Sequence, residues 1–128
     1  MNFLPRWEPL RRFRPRPRCL LRLAAGAQKV NVAVYIALEA KPGKEEAVAE
    51  FLRQGKAFAE AEPATIAWFG VRLGPSTFAI FDAFPDDAGR QAHMSGKIAA
   101  ALMEKAGDLL AQPPSIKMAD ILASKLPG

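Results

Sequence analysis

The hydrophobic positions of the chain fall into segments of two different periods, and the order of these segments predicts the fold. Residues 30–39 alternate strictly, with Val30, Val32, Val34, Ile36 and Leu38 on one side. A period of two residues is typical of a β-strand with one strongly apolar face. After Lys41-Pro42-Gly43, residues 44–61 place apolar side chains at helical spacing with glutamates on the other side. This pattern predicts an amphipathic helix of about four or five turns.

Two further strands are predicted after this helix, joined as a hairpin. Residues 65–73 and 77–84 are rich in aromatic and β-branched side chains, and Gly74-Pro75-Ser76 separates them. Glycine and proline in so short a connection are typical of a turn between antiparallel strands. We therefore expect a β-hairpin in the middle of the chain.

The last third of the chain is predicted to be helical and then extended. Residues 86–110 have a helical pattern that is weakened at Ser95-Gly96 and at Gly107, which predicts a short helix, a kink and a second helical piece. Pro113-Pro114 ends the helical part, and alternation over 115–123 predicts a fourth strand. The order βαββαβ is that of an α+β, ferredoxin-like protomer, an antiparallel sheet with its two helices on one face.

A sheet with helices on one face leaves its other face uncovered. The alternating sets of the predicted strands are apolar on more than one side. Because a contiguous apolar surface of this kind marks an interface, we expect the bare face to be buried against a second copy of the chain. The sequence therefore predicts a homodimer.

Size and composition allow one folded domain preceded by a tail. The 128 residues, half of them hydrophobic, suffice for one core and are too few for two. Residues 1–28 contain seven arginines, four prolines and no apolar period, so we predict a basic tail outside a single domain at 29–125. A secretory segment, a transit peptide and an upstream start remain alternatives for the tail. Its apolar patch 19–23 is short for a secretory segment, and the tail lacks the serines that are typical of a transit peptide.

The net charge of +5 arises from this tail. Residues 1–29 hold eight basic residues against one acidic residue, a net charge of +7, whereas residues 30–128 hold ten basic and twelve acidic residues, a net charge of −2. Because binding of phosphates needs clustered Lys and Arg, we expect no nucleic-acid binding by the folded domain. The chain has no apolar run of about 18 residues, so we expect no membrane span. Its single cysteine, Cys19, cannot form an internal disulfide, which favours a cytoplasmic protein.

His93, the only histidine of the chain, is the candidate catalytic residue. The sequence has no GxGxxG, GxxxxGK[ST], CxxC or HExxH motif, and a metal site based on one histidine would lack partners. An imidazole that titrates near neutral pH and faces an apolar cavity could transfer the proton of a phenol. Alternatively, a histidine near a helix kink simply bonds a neighbouring carbonyl.

Four residues on the predicted hairpin are candidates for ligand binding. Trp68 and Arg72 share one face of the second strand, where an aromatic plane beside a guanidinium would suit a flat, electron-rich or anionic ligand. Core packing of Trp68 and solvation of Arg72 explain the pair equally well. On the third strand Asp82 is the single acid in an apolar row that ends at Phe84, and is either an edge carboxylate or the partner of a base.

Asn31 and Tyr35 are the polar members of the small-residue face of the first strand. They could line a pocket and orient a ligand, or they could be exposed at a sheet edge. The pattern alone leaves both interpretations open.

Four segments between residues 32 and 122 match a known arrangement when they are taken together. They are the strand end Ala40-Lys41-Pro42-Gly43-Lys44, the segment Glu62-Pro63-Ala64-Thr65-Ile66-Ala67-Trp68, the strand 78–84, and Asp86-Asp87 leading through Gln91-Ala92 to His93. In this combination the chain resembles the antibiotic biosynthesis monooxygenase (ABM) family of dimeric α+β barrel proteins. The resemblance implies a dimer whose two sheets form a barrel, with a cavity between sheet and helices in each subunit.

The resemblance also implies a chemistry, and the chain departs from the family pattern at three places. Characterised members oxygenate polycyclic phenols or quinols without metal, haem or flavin. Where the family usually has Glu-x-Trp, this chain has Asp82-Ala83-Phe84, and Ala64 follows Glu-Pro where glycine is usual. The histidine that holds iron in haem-degrading relatives has no counterpart in residues 97–110. The shorter acid and the smaller aromatic ring alter the cavity and therefore the substrate.

The combined expectation is a cofactor-independent monooxygenase that acts on a phenol, hydroquinone or related aromatic with dioxygen. His93 would transfer the proton, and aromatic and polar side chains would hold the ring, orient its oxygens and stabilise the anion. The candidate substrate-binding residues are Asn31, Tyr35, Trp68, Arg72, Asp82 and Phe84. Two alternatives remain: a dimeric binding or stress-response module without chemistry, and an isomerase or decarboxylase of a small aromatic acid.

Overall fold

The computed structural model describes residues 29–127, and the predicted tail at 1–28 lies outside this range. Strands and helices follow in the order β1 Val32–Glu39, α1 Glu45–Glu60, β2 Ala67–Arg72, β3 Thr77–Phe84, α2 Asp87–Met94, α3 Lys97–Leu109 and β4 Ser115–Asp120. The predicted α+β, ferredoxin-like order is confirmed, with the second helical segment divided at Ser95-Gly96 into α2 and α3. Gly107, where a second weakening was predicted, lies inside α3 without interrupting it.

All four strands form one antiparallel sheet in the order β2-β3-β1-β4. The fourth strand was predicted to extend to residue 123, but β4 ends at Asp120, so the prediction was three residues too long. Asp120 pairs with Val32, the first residue of β1, so the residues after Asp120 have no strand opposite them. Past this point Ile121 still donates its backbone N–H to the carbonyl oxygen of Asn31, at 2.8 Å.

The main core lies between the sheet and the helices. Cross-strand register brings the apolar set of β1 opposite that of β3, as in the pairs Ile36 with Ile80 and Leu38 with Phe78. The buried residues of this core include Val34, Ile36, Leu38, Val48, Ala49, Leu52, Phe78, Ile80, Phe84 and Leu102. Burying one such large side chain contributes about 1.5–3 kcal/mol, so these contacts hold the helices on this face.

Helix α2 is fixed at its beginning by a side-chain cap and by one arginine. Asp86 has extended backbone angles, and its Oδ1 accepts a hydrogen bond from the backbone N–H of Gly89 at 2.9 Å. Arg90 donates from Nη1 to the carbonyl oxygens of Ala33 and Ala119, both at 3.2 Å. The cap fixes where the helix begins, and Arg90 connects the first turns of α2 to the strands β1 and β4.

No helix of residues 29–127 covers the opposite face of the sheet, which we call the uncovered face. Register places Phe69, Phe81, Tyr35 and Lys117 in one row across the four strands. Phe69 is 53% exposed. Within the same described range, no helix is both long and apolar enough to cross a membrane.

Candidate active site

His93 lies between two carboxylates that come from different parts of the chain. The imidazole is in the last turn of α2 and is only 4% exposed. Its Nδ1 is 2.6 Å from Oε1 of Glu62, and its Nε2 is 2.9 Å from Oδ2 of Asp82. Each ring nitrogen therefore faces a carboxylate, and we call this group the Glu62–His93–Asp82 trio.

Asp82 is the buried member of the trio. It lies on the central strand β3, where its neighbours in register are Val34 and Trp68, and its exposure is 0%. The pair it forms with His93 has the distance of an ion pair but not the direction of a good hydrogen bond, and neither of its oxygens has a hydrogen-bond partner among the described residues. Because an isolated buried carboxylate is very costly, the imidazolium is the charge that compensates it.

Glu62 is the member of the trio that reaches solvent. It follows the end of α1, and its side chain is 20% exposed. Its Oε1 accepts a hydrogen bond from Thr65 Oγ1 at 2.7 Å as well as facing His93. Glu62 thus links a buried imidazole to the protein surface.

The charge of the trio follows from opposing effects on the imidazole. Burial lowers the pKa of His93, but the close contact with Asp82, the hydrogen bond with Glu62 and the negative charges of both outweigh it and raise the pKa above its usual 6.5. This raised pKa favours the imidazolium form of His93. With His93 protonated and both carboxylates ionised, the trio has a net charge of −1.

An apolar cavity of about 200 Å³ lies beside the trio, between the sheet and the helices α2 and α3. Its lining residues are Ile36, Trp68, Ile80, His93, Met94, Ser95, Gly96, Ile98, Ala99, Ala100, Leu102, Met103 and Ile116. His93 is the only titratable side chain in this lining. The indole Nε1 of Trp68 is buried without a hydrogen-bond partner among the described residues. An apolar cavity with a few polar groups is typical of a small-molecule site.

Four of the seven predicted site residues come together here. Trp68 and Asp82 are partners across β2 and β3, and His93 contacts Asp82 from α2. The ring centroid of Phe84 is 5.2 Å from that of His93, with 42° between the ring planes. Phe84 is fully buried and does not line the cavity, so it packs against the imidazole.

The other three predicted residues do not line this cavity. Arg72 lies over the ring of Phe78, 5.0 Å from its centroid, and forms a 3.0 Å ion pair with Glu46 beside a separate groove between α1 and β2. Asn31 precedes β1 and donates from Nδ2 to the carbonyl oxygen of Pro85 at 2.9 Å. Tyr35 is on the uncovered face, because the helices pack on the face of β1 that carries its larger aliphatic side chains.

Sequence reasoning missed Glu62 as a member of the site. Glu62 was considered only as part of the segment 62–68 that resembles the ABM family, with no role in the site, and it is 31 residues away from His93 along the chain. The available signal was indirect: a buried histidine needs a partner for each ring nitrogen, and Asp82 can supply only one of them. Among residues 29–127, no group of three or more His, Cys, Asp and Glu side chains is arranged to hold a metal ion.

The fold with its cavity under the helices defines the class of protein. A protein of Nitrosomonas europaea provisionally named antibiotic biosynthesis monooxygenase has a TM-score of 0.66 at 18% identity, over 72% of this chain and 99% of that chain. PA3566 of Pseudomonas aeruginosa has a TM-score of 0.64 at 23% identity, over 77% of this chain and 100% of that chain. Identities this low establish a common fold, and the predicted ABM resemblance is confirmed at this level.

A higher identity places the chain in a family. The NE2512 protein of Nitrosomonas europaea, described as a protein of unknown function, is 53% identical with a TM-score of 0.76, over 78% of this chain and 97% of that chain. The chain therefore belongs to the family of NE2512, within the ABM-like fold. No protein-family model and no curated protein sequence matches the chain.

Proposed function

We propose that the protein is a small monooxygenase that oxidises a phenol, a hydroquinone or a related aromatic compound with dioxygen and without a cofactor. The observation that carries the proposal is the Glu62–His93–Asp82 trio at the wall of an apolar cavity. The fold shared with proteins named as antibiotic biosynthesis monooxygenases supports the same class.

The cavity and Trp68 would bind the substrate. Aliphatic side chains on both sides favour a flat, apolar ring, and burying it removes the ring from water. The unpartnered Nε1–H of Trp68 can donate a hydrogen bond to the phenolic oxygen, and this donor stabilises the oxygen more strongly as it becomes anionic.

The trio would handle the proton of the substrate. With a net charge of −1 it can take up one proton without becoming positive, and the partial exposure of Glu62 gives that proton a route to solvent. Because an imidazolium has no free nitrogen, His93 must first pass its Nδ1 proton to Glu62, and this contact must then open before the imidazole accepts the proton of the substrate. The contact with Glu62 is the one we expect to open, because Asp82 is fixed in the sheet.

Proton removal prepares the ring for dioxygen. The phenolate gives one electron to dioxygen, and the resulting radical and superoxide combine to form a carbon–oxygen bond. The trio returns the proton to the peroxide, and loss of water with the ring hydrogen leaves a quinone. One oxygen atom thus becomes the new carbonyl and the other leaves as water.

The test is turnover of a panel of phenols and hydroquinones with and without oxygen. We expect oxygen consumption and quinone formation that require the protein, and His93→Ala should lower kcat more than it weakens substrate binding. Glu50→Gln changes an exposed carboxylate that accepts hydrogen bonds from Arg53 and Gln54 on α1, and serves as a control with unchanged turnover. Equal rates with and without oxygen would rule out oxygenation.

The proposed enzyme works as a homodimer through the uncovered face. The exposed ring of Phe69, next to the half-buried Phe81 and Tyr35, supports a partner on that face, and a second copy supplies a surface of the same shape. Light scattering on the native protein tests this, with twice the chain mass as the expected result.

A second candidate function is a binding module that uses the same cavity without chemistry. The engagement of both nitrogens of His93 by carboxylates favours it, since a free nitrogen is what proton transfer to a ligand needs. An aromatic ligand that copurifies unchanged and is stable in air would support this function over oxygenation.

A further inference from the structure

Two glycines lie behind the indole of Trp68, in places where glycine is locally unfavourable. Gly55 is in the middle of α1 and Gly70 is in the middle of β2. Glycine in a helix or strand interior is less favourable than alanine, because it loses more backbone freedom on folding. Neither residue has a positive φ, so their backbone conformation does not require glycine. The reason for both must lie in what they contact.

Both glycines contact the same tryptophan. A Cβ atom at Gly55 would lie 3.1 Å from Cζ2 of Trp68 and 3.1 Å from Cδ1 of Ile98. A Cβ atom at Gly70 would lie 3.3 Å from Cη2 of Trp68 and 3.1 Å from Cβ of Leu52. These separations are shorter than the roughly 3.5–4.0 Å of an unstrained carbon contact. The indole therefore lies in a recess that exists because two side chains are absent.

The recess bears directly on the cavity, because Trp68 and Ile98 both line it. The cavity volume is about 200 Å³. An apolar cavity of about 150 Å³ holds benzene, whereas sites for larger ligands occupy about 300–1,000 Å³. A wall that moved inward by a methyl group would bring this volume close to the roughly 150 Å³ that one ring needs.

We propose that Gly55 and Gly70 hold Trp68 and Ile98 back from the cavity, and that the space so kept accepts a phenol of one aromatic ring and excludes three fused rings. The proposal rests on the proposed function only for the choice of a phenol as ligand. It assigns Gly55 and Gly70 as residues that determine size specificity, acting through the position of the indole.

The test is calorimetric titration of the full chain, without oxygen, with phenol, 2-naphthol and 2-anthrol. We expect phenol to bind, 2-anthrol not to bind, and Gly55→Ala to weaken phenol binding at least tenfold. Gly107→Ala is the matched control: it is also a glycine-to-alanine change in a helix, but a Cβ there meets nothing within 4 Å. This control should bind phenol like the unchanged protein.

Ile98→Val provides a second measurement that does not depend on the folding of Gly55→Ala and leaves the Nε1–H of Trp68 in place. The smaller side chain should enlarge the cavity, so that 2-naphthol binds more tightly than to the unchanged protein, and combining Ile98→Val with Gly55→Ala should restore phenol binding. Binding of 2-anthrol as tight as that of phenol, unchanged phenol binding in Gly55→Ala, or no binding of any of the three phenols would overturn the proposal. Size-limited binding without oxygen consumption would refute the proposed oxygenase and leave this inference standing. Oxidation of 2-anthrol would support the oxygenase and refute the size limit.

Discussion

The two faces of the sheet have the same strand periodicity but differ in what they bury. On the covered face, register aligns Trp68, Asp82, Val34 and Met118, and the carboxylate in this row is matched by a histidine from α2. On the uncovered face, the row of Phe69, Phe81, Tyr35 and Lys117 lies next to a row made of Ala67, Ala83, Ala33 and Ala119. In this alanine row Ala33 and Ala83 are buried in a second apolar cluster that includes Ile121 and Leu126, so it is Phe69 that the uncovered face leaves exposed. Among the described residues, charged groups are buried only where helices bring their partners.

The largest effect is expected on the covered face, from His93→Ala. Removing the imidazole leaves Asp82 buried without a compensating charge, which should cost about 3–5 kcal/mol of unfolding free energy. Urea denaturation measures this loss. The double variant His93→Leu with Asp82→Leu removes both charges and should recover most of the stability. A loss below about 1 kcal/mol in the single variant would contradict our description of the trio as a buried charged unit.

The next effect belongs to the uncovered face. Phe69→Glu places a charge on each side of the proposed dimer interface, and should weaken association by about 2 kcal/mol or more, as expected for a buried aromatic anchor. Light scattering over a range of concentrations measures the change in Kd. Phe58→Glu alters a phenylalanine on α1 that is 42% exposed and should leave association unchanged. If both variants associate like the unchanged protein, the uncovered face is not the interface.

Glu62→Gln separates the two carboxylates of the trio. It removes one of the charges that raise the pKa of His93, so that pKa should fall, and the weakened bond should cost about 1–2 kcal/mol. Because His93 is the only histidine, its imidazole signal in an NMR titration belongs to this residue alone. Glu50→Gln, on the exposed side of α1, should leave the titration unchanged.

The same raised pKa fixes the sign of the pH dependence of stability. The imidazolium stabilises the native state fully below the unfolded pKa of about 6.5. This contribution is lost as pH rises through the higher folded pKa of His93. The unfolding free energy should therefore fall over that range, with a shallower fall in Glu62→Gln. A stability that rises over the same range in the unchanged protein would contradict the assignment.

The smallest effect is expected at the cap of α2. Asp86→Ala removes the acceptor of the Gly89 N–H and should cost about 1 kcal/mol, measured by thermal unfolding. Asp87→Ala changes the neighbouring carboxylate, which forms a partly exposed ion pair with Arg90, and should cost less. Equal effects of the two variants would mean that charge rather than capping fixes the beginning of the helix.

Sequence periodicity was sufficient for the strands and the core but only partly for the site. Alternation on β3 placed Asp82 and Phe84 with the buried set, and the apolar spacing of residues 44–61 gave α1 nearly to its ends. The position of Tyr35 outside the cavity lining was left open by the sequence, because alternation separates two faces without saying which one borders a cavity. Glu62 was missed because its contact with His93 is made by the way the helices fold over the sheet, which no local spacing records.

The break at Ser95-Gly96 has a consequence for how this protein could acquire new ligands. His93 belongs to α2, whereas Ile98, Ala99 and Met103 in the cavity wall belong to α3. Substitutions that reshape the α3 wall leave the hydrogen bonds of the proton-handling group intact. Evolution, or a protein engineer, can therefore retune ligand choice and chemistry separately, one helix at a time.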